Sequence, residues 1–250
     1  MVFQTVFKRY ELKYMITLEQ KDKILKAMSP HMELDKYGRS TIRNIYFDTD
    51  NYRLIRRSLE KPAYKEKLRI RSYAQASHDS TVFVELKKKY DKVVYKRRIS
   101  LTEHEAMEWV CRGRACPQNT QISREIDYFI DFYGKLTPKV FLSYEREAFY
   151  DKNGGGFRVT FDDNILCRKT EVNLCEPAYG EEILPDGKIL MELKCSGGIP
   201  LWMVEVLSRE QIYKTSFSKY GTAYSSLIFP EAYLPKAMIH KELITNGSNV

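Results

Sequence analysis

Two neighbouring segments of the chain alternate in character with a period of two residues. In Tyr64–Tyr73, the residues at every second position are Lys65, Lys67, Arg69, Arg71 and Tyr73. In Thr81–Lys89, Phe83, Glu85, Lys87 and Lys89 alternate with Val82, Val84 and Leu86. Successive side chains of a β-strand point to opposite faces, so each segment predicts a strand with one polar face. A hairpin that joined the two strands would place their basic faces side by side.

The surplus positive charge of the chain is concentrated around this hairpin. Lys61–Arg98 holds twelve Lys or Arg against four acidic residues, whereas the whole chain has 41 basic and 33 acidic residues. For any one strand taken alone, a charged face turned to water is the better interpretation. Two cations about 5 Å apart repel by roughly 3 kcal/mol at an effective dielectric near 20. A fold that accepts several such pairs therefore favours a polyanion as its ligand.

The rest of the chain predicts an α+β fold. Alternating segments predict about eight strands, helical segments lie between them, and 18 Tyr and 12 Phe favour strands. No repeat or linker divides residues 5–228, which we expect to form one domain, and residues 229–250 have no strong pattern and form a tail. An eight-stranded antiparallel β-barrel, with basic residues inside and helices packed outside, satisfies both faces of every strand.

Composition also indicates the compartment. The five Cys lack the paired spacing of a zinc site and are expected to be reduced thiols. No apolar run reaches the length of a membrane span, and the first ten residues lack the apolar centre of a signal peptide. The sequence therefore predicts a cytoplasmic protein without a membrane span.

Carboxylates on the basic faces are the candidate metal ligands. The four His lack HxH or HxxxH spacing, so neither a His-based metal site nor a Ser–His nucleophile is expected. Glu11, Glu85 and Glu192 share faces with Lys and Arg, an arrangement typical of Mg²⁺ or Mn²⁺ held between protein and phosphate oxygens. Each Glu could instead neutralise a neighbouring Lys, which for Glu85 is an equally good interpretation. Glu192 is the stronger candidate because an unpaired charge in its apolar strand would be costly.

Eight ordered motifs resemble the VTC domain, the polyphosphate polymerase module of the vacuolar transporter chaperone complex within the triphosphate tunnel metalloenzyme superfamily. The resemblance spans residues 5–228. Its motifs are Glu11-Leu12-Lys13-Tyr14, Ile45-Tyr46-Phe47-Asp48, Leu68-Arg69-Ile70-Arg71-Ser72-Tyr73, Phe83-Val84-Glu85-Leu86-Lys87, Tyr144-Glu145-Arg146-Glu147-Ala148-Phe149, Arg158-Val159-Thr160-Phe161-Asp162, Met191-Glu192-Leu193-Lys194 and Ser216-Phe217-Ser218-Lys219-Tyr220.

The resemblance implies a tunnel that binds ATP or another nucleoside triphosphate together with Mn²⁺ or Mg²⁺. The residues that it implies as catalytic are Lys13, Arg69, Arg71, Lys87, Arg146 and Lys219, and those that it implies as further phosphate ligands are Lys96, Arg158 and Ser218, with Arg98 as the alternative to Lys96. Glu192 corresponds to the metal-associated glutamate of the family, and Glu11 is the other candidate metal ligand. One acid of the superfamily's ExExK motif is missing, because Arg9 stands where the first Glu would be.

Three functions follow from this resemblance and from the basic faces. The first is polyphosphate polymerase, which extends inorganic polyphosphate with the γ-phosphate of ATP. The second is an inorganic triphosphatase or nucleoside triphosphatase, in which Glu11 or Glu85 could position the attacking water. The third is a non-catalytic binder of polyphosphate or nucleic acid. Nucleic acid is not the expected partner, because the strand aromatics alternate away from the charges instead of interleaving with them.

Overall fold

The computed structural model describes residues 10–91 and 93–229, which form an antiparallel sheet with helices. The strands are β1 Tyr10–Thr17, β2 Met32–Asp48, β3 Tyr64–Ser72, β4 Thr81–Tyr90, β5 Val93–Thr102, β6 Thr137–Asp151, β7 Arg158–Arg168, β8 Glu181–Glu182, β9 Lys188–Cys195 and β10 Lys214–Thr215. The helices are α1 Leu18–Met28, α2 Arg53–Leu59, α3 Glu103–Arg112, α4 Gln121–Tyr133, α5 Leu201–Arg209 and α6 Lys219–Ala223, followed by a π-helical turn over Tyr224–Ile228. The tail predicted for residues 229–250 lies, except for Phe229, outside the described residues.

Reciprocal capping fixes the starts of two helices that cover the sheet. At α1, Gln20 N donates to Thr17 Oγ1 at 3.2 Å, and Thr17 N donates to Gln20 Oε1 at 3.0 Å. The same arrangement joins Thr102 and Glu105 at the start of α3. Each box satisfies two backbone donors that a helix terminus would otherwise leave unpaired.

The sheet has ten strands in the order β10-β1-β9-β7-β6-β2-β3-β4-β5, with β8 paired to β7. Eight of the ten are long strands, and β8 and β10 have two residues each. The predicted closed eight-stranded barrel is not confirmed, because no ladder joins β5 to the other end of the sheet within the described part of the chain. The short β10 occupies the outer edge of β1, where Lys13 pairs with Thr215, and so takes the place at which a closing strand would pair.

Apolar clusters on the outer face hold the helices against the sheet. Strands β3 and β4 contribute Leu68, Ile70, Val84 and Leu86 to a cluster with α3 and α4, whose members include Trp109 and Phe129. Strands β1, β7 and β9 pack in the same way against α1 and α5. A third cluster lies on the inner face, where Tyr46 and Leu190 meet Tyr220 and Tyr224 from the C-terminal helices. Helices therefore cover the outer face of the sheet, and apolar residues fill only part of the inner face.

Two further predictions concern thiols and membrane spans. All five Cys are free thiols. No helix within residues 10–91 and 93–229 combines the length and the apolar character that a membrane crossing needs.

Candidate functional site

Strand register places charged side chains of seven strands, together with Asn44 of β2, on one inner face. Directly paired residues of neighbouring strands point to the same side of a sheet. The pairs that define the charged part of this face are Lys13 with Glu192, Arg146 with Asp162, Arg71 with Asn44, Arg69 with Glu85, Glu85 with Arg98, and Lys87 with Lys96. The period-two interpretation of Lys67, Arg69, Arg71, Glu85 and Lys87 is thus confirmed by the register of β3 and β4.

Glu85 is the centre of a first cluster of cations. Its side chain is 1% exposed, and its carboxylate accepts hydrogen bonds from Arg69 Nε at 2.9 Å and Arg98 Nε at 2.7 Å. Lys96 Nζ lies 2.6 Å from the same carboxylate, and Arg71 Nε lies 3.9 Å away. Burial acts to raise the pKa of Glu85, but the charges of Arg69, Arg71 and Lys96 outweigh it and hold that pKa far below the usual value. Glu85 is therefore an anion that orients four cations.

Asp162 and Glu192 form the centre of a second cluster. Arg146 donates two hydrogen bonds of 2.6 Å to Asp162, and Lys219 Nζ lies 2.5 Å from the same carboxylate. Glu192 lies 3.3 Å from Lys13 Nζ, and its other cationic neighbours are Lys194, Lys219 and Arg146, between 3.2 and 3.8 Å. Burial raises the pKa of both acids, and the surrounding cations lower it further than burial raises it.

Glu11 connects the two ends of the curled sheet. Its carboxylate lies 3.3 Å from Lys87 Nζ of β4 and 3.8 Å from Lys13 Nζ of its own strand. Burial acts to raise the pKa of Glu11, but Lys87, Lys194 and Lys13 together lower it to about 2. Strands β1 and β4 thus meet through an ion pair, although no backbone ladder between them closes the sheet.

Lys67 lies between the paired cations Arg69 and Lys87 but has no carboxylate partner of its own in the described part of the chain. Its Nζ donates to Ser218 Oγ at 3.2 Å and lies 5.9 Å from the centre of the Tyr220 ring. Burial, followed by the charges of Lys87, Lys13, Lys65 and Arg69, lowers the pKa of Lys67 to about 7. The resemblance did not single out Lys67, although its position in the alternation of β3 indicated that it would face inward.

The C-terminal motif is held in place by Asp48 at the end of β2. Asp48 accepts hydrogen bonds from Tyr220 at 2.9 Å and from the backbone N–H groups of Thr49, Leu54 and Ile55. The Tyr220 ring also stacks on Tyr46 at 4.7 Å. These contacts position Lys219 to reach Asp162. Ser218 Oγ accepts from Gly221 N and Lys67 Nζ, which leaves its own proton free to donate to a ligand.

The structure brings most of the predicted site residues together. Lys13, Arg69, Arg71, Lys87, Lys96, Arg146, Lys219, Ser218, Glu192 and Glu11 all belong to this network. Arg158 lies apart, since it is exposed at the start of β7, although it is on the inner side opposite Lys194. Sequence reasoning missed Asp162 and Lys194 as site residues. Both lie on the inner face beside residues that the sequence did indicate. The alternation of side chains along β7 and β9 could have identified them.

The network carries more positive than negative charge. Ten cations contribute to it, namely Lys13, Lys67, Arg69, Arg71, Lys87, Lys96, Arg98, Arg146, Lys194 and Lys219, against the four carboxylates of Glu11, Glu85, Asp162 and Glu192. A face with this excess attracts anions that carry several charges.

The carboxylates of the network fit Mg²⁺ or Mn²⁺ by their chemistry. Hard divalent cations prefer oxygen ligands, and Mg²⁺ is usually bound by one or two carboxylates together with substrate phosphates. Glu11 and Glu192 offer such oxygens, and the same Lys13 amino group neutralises both. The described residues do not bring three acidic side chains of this network within 4.8 Å of one another. A metal ion here would therefore need water or phosphate oxygens as additional ligands.

Two of the solved structures that resemble this chain are described as putative adenylate cyclases. A putative adenylate cyclase from Bacillus halodurans is 16% identical, with a TM-score of 0.51 over 84% of this chain and 95% of that chain. A putative adenylate cyclase from Vibrio parahaemolyticus is 12% identical, with a TM-score of 0.46 over 88% of this chain and 98% of that chain. At such low identity, the first likeness supports the fold alone.

Sequence comparison identifies the family. Curated protein sequences give no match. The family model of the VTC domain matches residues 8–228, which is most of the chain and agrees with the span over which the eight motifs were found. The chain therefore belongs to the VTC domain family.

Proposed function

We propose that this protein is a polyphosphate polymerase that transfers the γ-phosphate of ATP to a growing inorganic polyphosphate chain. The observation that carries the proposal is the convergence of cations from β1, β3, β4, β5, β6, β9 and α6 on one inner face with a surplus of positive charge. Nucleoside triphosphate and polyphosphate are both condensed phosphates, so one basic face can take both. Membership in the VTC domain family supports the same assignment.

The reaction requires the protein to align the two substrates and to neutralise the charge on their phosphate oxygens. An oxygen of the terminal phosphate of the chain attacks the γ-phosphorus, the bond from that phosphorus to the β–γ bridging oxygen breaks, and ADP leaves. Catalysis of such a transfer comes almost entirely from alignment and from neutralisation of the equatorial oxygens. The proposed ligands of these oxygens are the cations of the two clusters, which their carboxylates hold in fixed positions. Glu192 and Glu11 would hold a bound Mn²⁺ or Mg²⁺, which supplies further charge neutralisation.

The protonation states of the carboxylates favour transfer to phosphate over hydrolysis. Attack by water benefits from a general base with a pKa near the working pH. The pKa of Glu11 is lowered to about 2 and that of Glu85 is lower still, because each carboxylate is surrounded by cations. Such carboxylates are weak bases. The terminal phosphate of a polyphosphate chain is already ionised and can attack without a general base.

A triphosphatase is the second candidate, because transfer of the γ-phosphate to water needs the same alignment and charge neutralisation as transfer to a phosphate chain. The same site would then release orthophosphate from a triphosphate.

Product analysis separates the two candidates. Purified protein is incubated with ATP radiolabelled at the γ-phosphate and with either Mn²⁺ or Mg²⁺, and the products are resolved by gel electrophoresis and thin-layer chromatography. Phosphate chains longer than triphosphate, formed together with ADP, support the polymerase. Orthophosphate as the sole labelled product supports the triphosphatase. Absence of turnover with either metal, while polyphosphate still binds, would leave a non-catalytic binder and overturn both candidates.

A further inference from the structure

A second group of possible metal ligands lies away from the inner face. His78 is in the loop between β3 and β4, Glu103 is the first residue of α3, and Cys175 is in the loop between β7 and β8. One ligand atom from each of the three side chains lies within 4.8 Å of the other two. The spacing of His in the sequence predicted no His-based site, because these ligands come from three distant segments.

Backbone hydrogen bonds hold the three segments together without any metal. Ala76 N donates to Leu174 O at 3.1 Å, which joins the His78 loop to the Cys175 loop. Glu103 N donates to Ser80 O at 2.9 Å, which joins the start of α3 to the His78 loop. Gln75 Nε2 donates to the carbonyl of Cys175 at 2.6 Å. The three ligands are therefore positioned by their own backbones.

A buried arginine shapes the loop that carries Cys175. Arg168 donates to the carbonyl oxygens of Glu171, Pro177 and Tyr179 at distances from 3.1 to 3.3 Å. Asn173 Oδ1 then accepts hydrogen bonds from the N–H groups of Cys175 and Glu176. The loop is thus wrapped around one guanidinium group and presents the Cys175 side chain towards Glu103.

Among the described residues, the Glu103 carboxylate has no Lys or Arg as a partner. Its side chain is 5% exposed, its partner is His78 Nδ1 at 3.1 Å, and no Lys or Arg lies within ion-pair distance of its carboxylate in residues 10–91 and 93–229. His78 is 79% exposed. A buried carboxylate whose partner is a mostly exposed histidine is poorly compensated, and a bound metal cation would compensate it.

We propose that His78, Glu103 and Cys175 bind one Zn²⁺ ion, which ties the β7–β8 loop and the β3–β4 loop to the start of α3. Thiolate and imidazole ligands select Zn²⁺ over Mg²⁺ and Mn²⁺, so this site differs in metal class from the oxygen donors of the inner face. In a tetrahedral zinc site the ligand atoms are about 3.5 Å apart. His78 Nδ1 and Glu103 Oε2 are already 3.1 Å apart, and water takes the fourth position.

A Cys–His–Glu nucleophile is the competing interpretation of the same residues. An activated cysteine needs a pKa below that of a free thiol. Burial and the nearby Glu103 raise the pKa of Cys175 instead. The environment of Cys175 therefore argues against an activated nucleophile.

Cobalt provides a direct test, because a Co²⁺–thiolate bond has a charge-transfer band in the near ultraviolet. Chelator-treated full-length protein is titrated with Co²⁺ in excess Mg²⁺, which occupies oxygen sites but not thiolates. The expected result is a thiolate band that saturates at one Co²⁺ per chain and disappears on addition of Zn²⁺. Absence of the band in the wild-type protein would overturn the proposal.

Three variants test which residues bind the Co²⁺ ion that gives the charge-transfer band. Cys175→Ser should abolish it, and Cys111→Ser, which removes an exposed free thiol of α3, should leave it unchanged. His78→Ala should weaken Co²⁺ binding at least tenfold and abolish the increase in melting temperature that Zn²⁺ gives the wild-type protein. Because His78 is mostly exposed, this variant decides the matter even if Cys175→Ser does not fold. A band that survives Cys175→Ser, or Zn²⁺ stabilisation that survives His78→Ala, would contradict the proposed ligands.

Discussion

Lys67 Nζ lies 3.2 Å from Ser218 Oγ and, among the described residues, has no carboxylate partner. The neighbouring Arg69 and Lys87 are both paired with acids. An external anion gains most binding free energy beside a cation that has no carboxylate partner. Lys67 is such a cation, and it lies between two cations that are already paired. The contact also joins the basic hairpin to the C-terminal motif, two segments that are about 150 residues apart in the sequence.

Phosphate binding is expected to be coupled to proton uptake by Lys67. Its pKa of about 7 in the free protein lies below the usual value, and an adjacent phosphate raises it. At pH 8, binding of tripolyphosphate should therefore take up close to one proton more in the wild-type protein than in Lys67→Arg, whose side chain stays charged. Titration calorimetry in buffers of different ionisation enthalpy measures this difference. Equal proton uptake by the two proteins would contradict the prediction.

The same residue affects the stability of the ligand-free protein. Because the pKa of Lys67 is lower in the folded than in the unfolded chain, the unfolded chain binds more protons between about pH 7 and pH 10. The contribution of Lys67 to the free energy of unfolding therefore rises with pH across this window. Lys67→Gln should stabilise the protein more at pH 6 than at pH 9, as measured by urea unfolding at both values. A pH-independent effect would argue against the lowered pKa.

Glu85→Gln should destabilise the fold, because it leaves the cations of the first cluster without their shared anion. Removing one partner of a buried ion pair costs about 3–5 kcal/mol. Tripolyphosphate should restore part of this loss, since it supplies the missing negative charge. The control is Glu125→Gln, whose carboxylate pairs with Arg97 on the other side of β5 and should cost about 1 kcal/mol or less. Thermal unfolding with and without tripolyphosphate checks both variants, and equal stability of the two would refute the account of Glu85.

Tyr220→Phe should reduce turnover although Tyr220 is not proposed to touch the substrate. The change removes the hydrogen bond from Tyr220 to Asp48 while three backbone donors to Asp48 remain, so the loss of stability should be about 1 kcal/mol. The expected signature is a lower kcat with little change in KM for ATP, because Lys219 loses its fixed position. A variant with wild-type kcat would show that the Asp48 contact does not position Lys219.

Alternation in the sequence was enough to predict which strands carry the charged face. The sequence predicts a strand over Thr81–Lys89 with Glu85 and Lys87 on its polar face, and β4 spans Thr81–Tyr90 with both residues on the inner face. The resemblance to the VTC domain added the order of the motifs. Both depend on local patterns, which a sequence displays directly.

Contacts between distant segments could not be predicted from such local patterns. Nothing local indicates that β10 would pair with the edge of β1. In the same way, the pairing of Asp162 with Lys219, which are 57 residues apart, depends on how the C-terminal helices fold over the sheet. The His78, Glu103 and Cys175 group was missed for the same reason, since its ligands meet only after the loops have packed.

The most direct test of the central claim is the equilibrium affinity for tripolyphosphate of Arg69→Ala, Lys87→Ala and Arg146→Ala, measured beside Arg97→Ala. The first three residues lie on different parts of the inner face, and Arg97 points to the outer side, where it pairs with Glu125. Loss of one charge-assisted hydrogen bond costs about 1.5–3 kcal/mol, which corresponds to roughly a 10- to 100-fold weaker affinity. The account predicts such a loss for each of the three inner-face variants and wild-type affinity for Arg97→Ala. Unchanged affinity in the inner-face variants, or an equal loss in Arg97→Ala, would contradict it.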